Sequence, residues 1–163
     1  PPLDFHVSDS YFVVAHFHYV VFGTVVFAMF AGFYFWWPKM TGRMLDERLG
    51  KLHFWILFVG FHLTFLVQHW LGVEGMPRRY ADYPMQFADF NLVASLGGFA
   101  FGLAEVYFFV VVGLPGLRGK GEKAPQRPWD GAEGLEWEVA SPAPFHTFET
   151  PPKLNAEANK IVA

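Results

Sequence analysis

Long uncharged stretches alternate with short polar ones along most of this chain. Ser10 through Trp37 carries no Lys, Arg, Asp or Glu, and neither does Leu52 through Leu71. Asn91 through Leu114 carries a single charge, Glu105. At about 1.5 Å of rise per residue each run makes a helix of roughly 30–40 Å, enough to cross a hydrocarbon core of ~30 Å. The pattern predicts an all-α polytopic membrane fold with spans over about 10–37, 52–71 and 91–114. Trp36 and Trp37 form an interfacial aromatic pair, and Pro38 with Lys39 is expected to end the first span. Gly72 and Gly75 should close the second span and Pro115-Gly116 the third. Gly97, Gly98 and Gly102 should let a neighbouring helix approach closely. A soluble core helix can be this apolar, but three in succession at membrane length point to lipid.

From Leu117 onward the sequence turns to Pro, Gly and charge, and prolines at 125, 128, 142, 144, 151 and 152 prevent long helices. The chain therefore divides into a transmembrane part, 1–116, and a Pro-rich soluble tail, 117–163. Trp129, Leu135, Trp137, Phe145 and Phe148 are candidates to pin the tail to a partner surface. The alternative is a loosely ordered tail.

Composition narrows the class. Hydrophobic residues make up 53% of the 163 residues and aromatics 20%, while only 17% are charged, below the quarter usual in soluble domains. That argues against intrinsic disorder, and a net charge of -3 leaves no basic surface for nucleic acid. Without cysteine there is no disulfide, thiolate zinc site or thiol catalysis. The chain opens Pro1-Pro2-Leu3-Asp4 with no basic n-region, so a signal peptide is not expected, and a span so near the start suggests part of a longer chain. Basic residues sit in the first loop (Lys39, Arg43, Arg48, Lys51) and just after the third span (Arg118, Lys120, Lys123, Arg127). The positive-inside rule places the first loop and the tail in the cytoplasm, with the N-terminus and Arg78-Arg79 outside.

The sharpest chemical feature is Ala15-His16-Phe17-His18-Tyr19, inside the first span. Histidines two apart on a helix point about 200° away from each other, so they cannot share one metal but can serve two. An imidazole in lipid needs a partner, and an axial bond to haem iron meets that need. The alternative is that both simply hydrogen-bond to neighbouring helices. In the outward loop, Arg78 and Arg79 form adjacent guanidiniums suited to carboxylates such as haem propionates, or to lipid headgroups. Asp4, His6 and Asp9 precede the first span; carboxylate and imidazole suit a hard cation, while solvated polar residues and a helix cap are the simpler reading. His53, His62 and His69 read as packing or hydrogen-bonding residues of the second span. Glu105 is an intramembrane carboxylate that needs a partner helix or a wet cavity, with proton handling as one role.

Together these residues resemble a known family. Asp9-Ser10-Tyr11-Phe12-Val13-Val14-Ala15-His16-Phe17-His18-Tyr19 closely resembles the tenth-helix signature of subunit I of the haem–copper oxidases. Gln68-His69-Trp70-Leu71-Gly72 and Gly75-Met76-Pro77-Arg78-Arg79-Tyr80-Ala81-Asp82-Tyr83 look like the end of helix eleven and the following loop. The tail from Pro128-Trp129-Asp130 through Leu135-Glu136-Trp137 to Ser141-Pro142 is similar to that of bacterial cytochrome c oxidases of the aa3 type. The resemblance covers essentially the whole chain and implies the last three of about a dozen helices, in a bacterial inner (plasma) membrane.

The resemblance implies that His16 is the proximal ligand of the high-spin haem a3 and His18 an axial ligand of the low-spin haem a, with Phe17 between the cofactors. Arg78 and Arg79 would bind haem propionates, Asp4 would lie near one, and Asp9 matches the acidic ligand of a magnesium site. The family usually places His immediately before that Asp; here the residue is Ser8, with His6 the nearest imidazole. The resemblance further implies two haem A groups, a copper B whose ligands lie on helices absent from this sequence, and reduction of O2 to water by ferrocytochrome c coupled to proton pumping. Implied partners are the rest of subunit I, subunits II and III, cytochrome c and membrane lipid. The rivals are a quinol oxidase, a non-catalytic dihaem electron carrier and a structural subunit without cofactors.

Overall fold

A computed structural model of the chain describes residues 2–155 and 160–162. A short helix α1 (Pro2–Val7) leads into three long ones: α2 (Tyr11–Thr41), α3 (Glu47–Val73) and α4 (Met85–Leu117). Each of the long helices is apolar enough to cross a membrane. They extend beyond the uncharged runs because their ends are built from polar caps that hydropathy does not register. Ahead of α3 the Asp46 carboxylate accepts from the Leu49 amide at 3.0 Å, and Glu47 pairs with Lys51 at 2.8 Å one turn on.

Pro38 does not end α2. The helix runs on to Gly42, whose φ of 72° stops it and whose N–H bonds back to the Pro38 carbonyl at 2.8 Å. Proline forfeits one helix hydrogen bond, but here Pro38 and Trp37 are both buried, and that packing outweighs the loss. Two wider π-helical turns interrupt the α geometry, Phe22–Val26 in α2 and Phe108–Gly113 in α4.

Helix α3 lies between the other two. A Cβ on Gly97 of α4 would stand 2.5 Å from the Thr64 amide nitrogen, and one on Gly60 of α3 would stand 2.7 Å from that of Phe101. The two backbones touch there, as small residues permit in membranes. Gly98 has only the Thr64 hydroxyl near, at 4.0 Å, and Gly102 has nothing within 4 Å. Of the three glycines expected to serve close approach, Gly97 does so within this chain, against a glycine on α3. Gly72 plays the matching part between α3 and α2, directly against the Phe12 backbone.

The connections alternate between the two ends of the bundle. At the end bearing the N-terminus, Ser10 pairs with Pro77, and the Tyr11 amide donates to the Met76 carbonyl at 2.9 Å. At the other end Arg43 pairs with Lys123, Met44 donates to Glu122 and Ala124 to Gly42, each at 2.9 Å.

The tail settles on this chain's own helix. The Trp129 indole donates to the Phe35 carbonyl at 2.9 Å, and Trp137, fully buried, meets Phe35 edge-on at 5.4 Å. Lys39 donates to the carbonyls of Val139 (2.7 Å) and Ala140 (3.0 Å) and to the Ser141 hydroxyl (3.2 Å). Phe145 takes no part and is 96% exposed. Beyond it the strands Lys153–Asn155 and Lys160–Val162 pair antiparallel, a small ribbon in the largely irregular tail.

Candidate functional site

Ser10 starts the helix that carries the histidine pair. Its extended backbone (φ -96°, ψ 173°) lets the hydroxyl accept from the Phe12 amide at 3.2 Å while donating to the Val7 carbonyl at 2.6 Å. From Tyr11 to Val21 the turns are regular α, so the roughly 200° between His16 and His18 holds. Ala15 beside them is fully buried. His16 is exposed on the surface of the three-helix unit. His18 turns to α3, where its ring stacks on Phe65 at 4.1 Å and 14°, with Phe17 stacked on it at 4.3 Å.

The His18 Nδ1 lies 2.7 Å from the Val14 carbonyl. A carbonyl only accepts, so Nδ1 carries the proton and Nε2 keeps its lone pair. This is the tautomer a metal-ligating histidine needs, with the hydrogen bond that orients the ring already in place. The bond alone does not single out a ligand. His62 and His69 make the same contact, with the Phe58 carbonyl at 2.9 Å and the Phe65 carbonyl at 3.2 Å. Both also meet the Tyr19 ring edge-on, at 5.7 and 5.1 Å, inside an aromatic layer. What separates His16 and His18 from them is placement on opposite sides of one helix.

His53 is buried, with Nδ1 3.1 Å from the Tyr34 hydroxyl and its ring against Phe30 and Phe108, both at 4.9 Å. It borders an apolar cavity of about 440 Å³ lined by Phe27, Phe30, Leu57 and Trp129. Glu105 is partly buried on α4, one turn before the π-helical segment.

At the N-terminal end the structure joins two residues that the sequence separates widely. Arg78 reaches Asp9 Oδ1 with Nη2 at 2.8 Å and Nε at 3.0 Å, and its amide donates to the Asp9 carbonyl at 3.0 Å. Asp9 (φ 55°) and Arg79 (φ 62°) both sit in the left-handed region, so the clasp is held with local backbone strain. Arg79, Asp4 and His6 are exposed. Asn91, which the sequence did not single out, is buried and donates to the Phe87 carbonyl at 2.8 Å and to Met76 Sδ at 3.4 Å, tying α4 to the arginine loop. Nothing local in the sequence marks it, since Met76, the partner that makes it a tie between segments, lies outside the helix. Among the described residues no group of three or more His, Cys, Asp or Glu converges on a metal position.

Residues 1–100 match the family model described as Cytochrome C and Quinol oxidase polypeptide I. A putative cytochrome c oxidase subunit 1-beta of Streptomyces avermitilis is 59% identical over 97% of this chain and 28% of its own length. A probable cytochrome c oxidase subunit 1-beta of Nocardia farcinica is 57% identical over 96% of this chain and 27% of its own. The cytochrome c oxidase subunit 1 of Corynebacterium diphtheriae is 55% identical over 96% and 28%. The chain thus spans about 28% of the length of the curated relatives it matches.

Proposed function

The chain belongs to the cytochrome c and quinol oxidase polypeptide I family, and on that premise we propose that it supplies the axial histidines of both haems in the catalytic subunit of a bacterial cytochrome c oxidase. The observation that carries this reading is the pair His16 and His18, facing opposite ways from one regular stretch of α2. His16 would hold the high-spin haem a3 and His18 the low-spin haem a. Bound there, the haems supply electron transfer and, with copper B on helices outside this chain, the reduction of O2 to water.

The chain's own residues bind and orient. The Val14 carbonyl fixes the His18 ring and tautomer and raises the basicity of its free nitrogen. The Phe65 and Phe17 rings restrict its rotation and keep water from that side. One rigid helix sets the spacing between the two ligands, so neither can shift without the other. Arg79, exposed at the same end, is free to pair with a propionate, while Arg78 divides its donors with Asp9. The bias of basic residues supports a plasma-membrane orientation with the tail in the cytoplasm. Ferrocytochrome c would deliver electrons through a neighbouring subunit, with subunits II and III as partners and proton pumping as the coupled work.

The test is oxygen uptake by the purified complex containing this chain, with reduced cytochrome c and a soluble quinol in separate runs. Cyanide-sensitive uptake with cytochrome c is expected; uptake with quinol alone would move the chain to the quinol branch. Haem counts in His16→Ala and His18→Ala complete it. Two haems retained in both variants would overturn the ligand assignment.

A further inference from the structure

We propose that Arg78 replaces a divalent cation as the partner of Asp9, so that the oxidase holds no magnesium at this end of the helices. The inference rests on the oxidase reading only for where the ion is expected. The family resemblance assigns Asp9 to a magnesium site together with a histidine immediately before it, and the residue there is Ser8. Magnesium takes near-octahedral oxygen donors, keeping several waters and binding through one or two carboxylates. In this chain the carboxylate at that position is already engaged by a guanidinium.

Asp9 Oδ1 already accepts two N–H groups from one guanidinium, at 2.8 and 3.0 Å. Among the described residues the other Asp9 carboxylate oxygen has no hydrogen-bond partner, and the preceding Ser8 brings only a neutral hydroxyl. His6 stands on α1 with its ring edge-on to Phe5 at 5.6 Å. No third acidic or imidazole group joins Asp9 among the described residues.

The backbone reinforces the choice. Ser10 N–H bonds to Val7 at 3.2 Å and Arg78 N–H to the Asp9 carbonyl at 3.0 Å, so the left-handed turn at Asp9 is pinned from both sides toward Arg78. Donors brought by another subunit would have to hold the ion beside a fixed positive charge, which repels it. The clasp also does what a bridging cation would do, tying the α1–α2 junction to the α3–α4 loop.

The experiment measures bound metal in the purified complex from cells grown on manganese, by elemental analysis and by electron paramagnetic resonance of Mn2+. No stoichiometric manganese is expected in the wild-type complex. One manganese per complex that Asp9→Asn removes would overturn the proposal, whereas one that Asp9→Asn leaves intact lies elsewhere and supports it. Should Asp9→Asn fail to assemble, Ser8→His with Arg78→Gln provides the second arm. A manganese gained only in that double variant supports the proposal; a wild-type manganese spectrum altered by it overturns it. Oxygen uptake in the same preparations reports separately on the oxidase reading.

Discussion

The Lys39 ammonium sits over the Trp137 ring, 5.5 Å from its centre, while it donates to the Val139 and Ala140 carbonyls and to the Ser141 hydroxyl. Trp137→Ala removes a fully buried indole, a change that typically costs about 3–5 kcal/mol. The tail should then detach while the helices persist. Limited proteolysis should cut between 125 and 141 in the variant at concentrations of protease that leave the parent intact. Lys39→Met should do the same to a smaller extent, since hydrogen bonds from a charged donor are worth about 1.5–3 kcal/mol when shielded from water.

Gly72 permits α3 to touch α2 at Phe12, one turn before the histidine pair. Gly72→Ala would meet the Phe12 backbone and its Cβ, with no flexible side-chain end to displace, so the helices must separate. Overpacking of this kind costs about 1–3 kcal/mol or more. The expected outcome is a lowered thermal midpoint together with a shifted low-spin haem absorbance.

Asn91 links α4 to Met76 and thereby to the arginine loop. Asn91→Leu removes both contacts at a cost of about 1 kcal/mol. Hydrogen exchange should accelerate at residues 76–80, with little change in the middle of α4. Unchanged protection there would show that the loop is held without Asn91, by the Asp9–Arg78 clasp and the backbone bond from Tyr11 to Met76.

His62 and His69 spend their Nδ1 protons on backbone carbonyls within an aromatic layer. His62→Phe and His69→Phe should each keep two haems per complex, in contrast to His16→Ala and His18→Ala. A haem lost from either phenylalanine variant would reassign the ligands.

Features that repeat along the chain were readable without coordinates. The absence of charge over three runs marked the membrane helices, and the two-residue spacing of His16 and His18 set their opposite directions. Features that depend on a distant partner were not readable. Pro38 looks like a stop because nothing nearby in sequence reveals the burial that keeps the helix going. Gly97 was marked by composition, but Gly60 and Gly72 gain their meaning only from the backbones they touch. Asp9 and Arg78 read as candidates for two separate ligands and turn out to bind each other. The tail residues Trp129 and Trp137 were recognisable as anchors, although their anchorage is the end of α2 itself.

The grip of Lys39 on Val139 spans 100 residues, which fixes an order of events during synthesis. Ribosomes add about 5–20 residues per second, so α2 waits roughly 5–20 s after its own completion before the segment that holds its far end exists. Throughout that interval the helix bearing both imidazoles stands with one end untied.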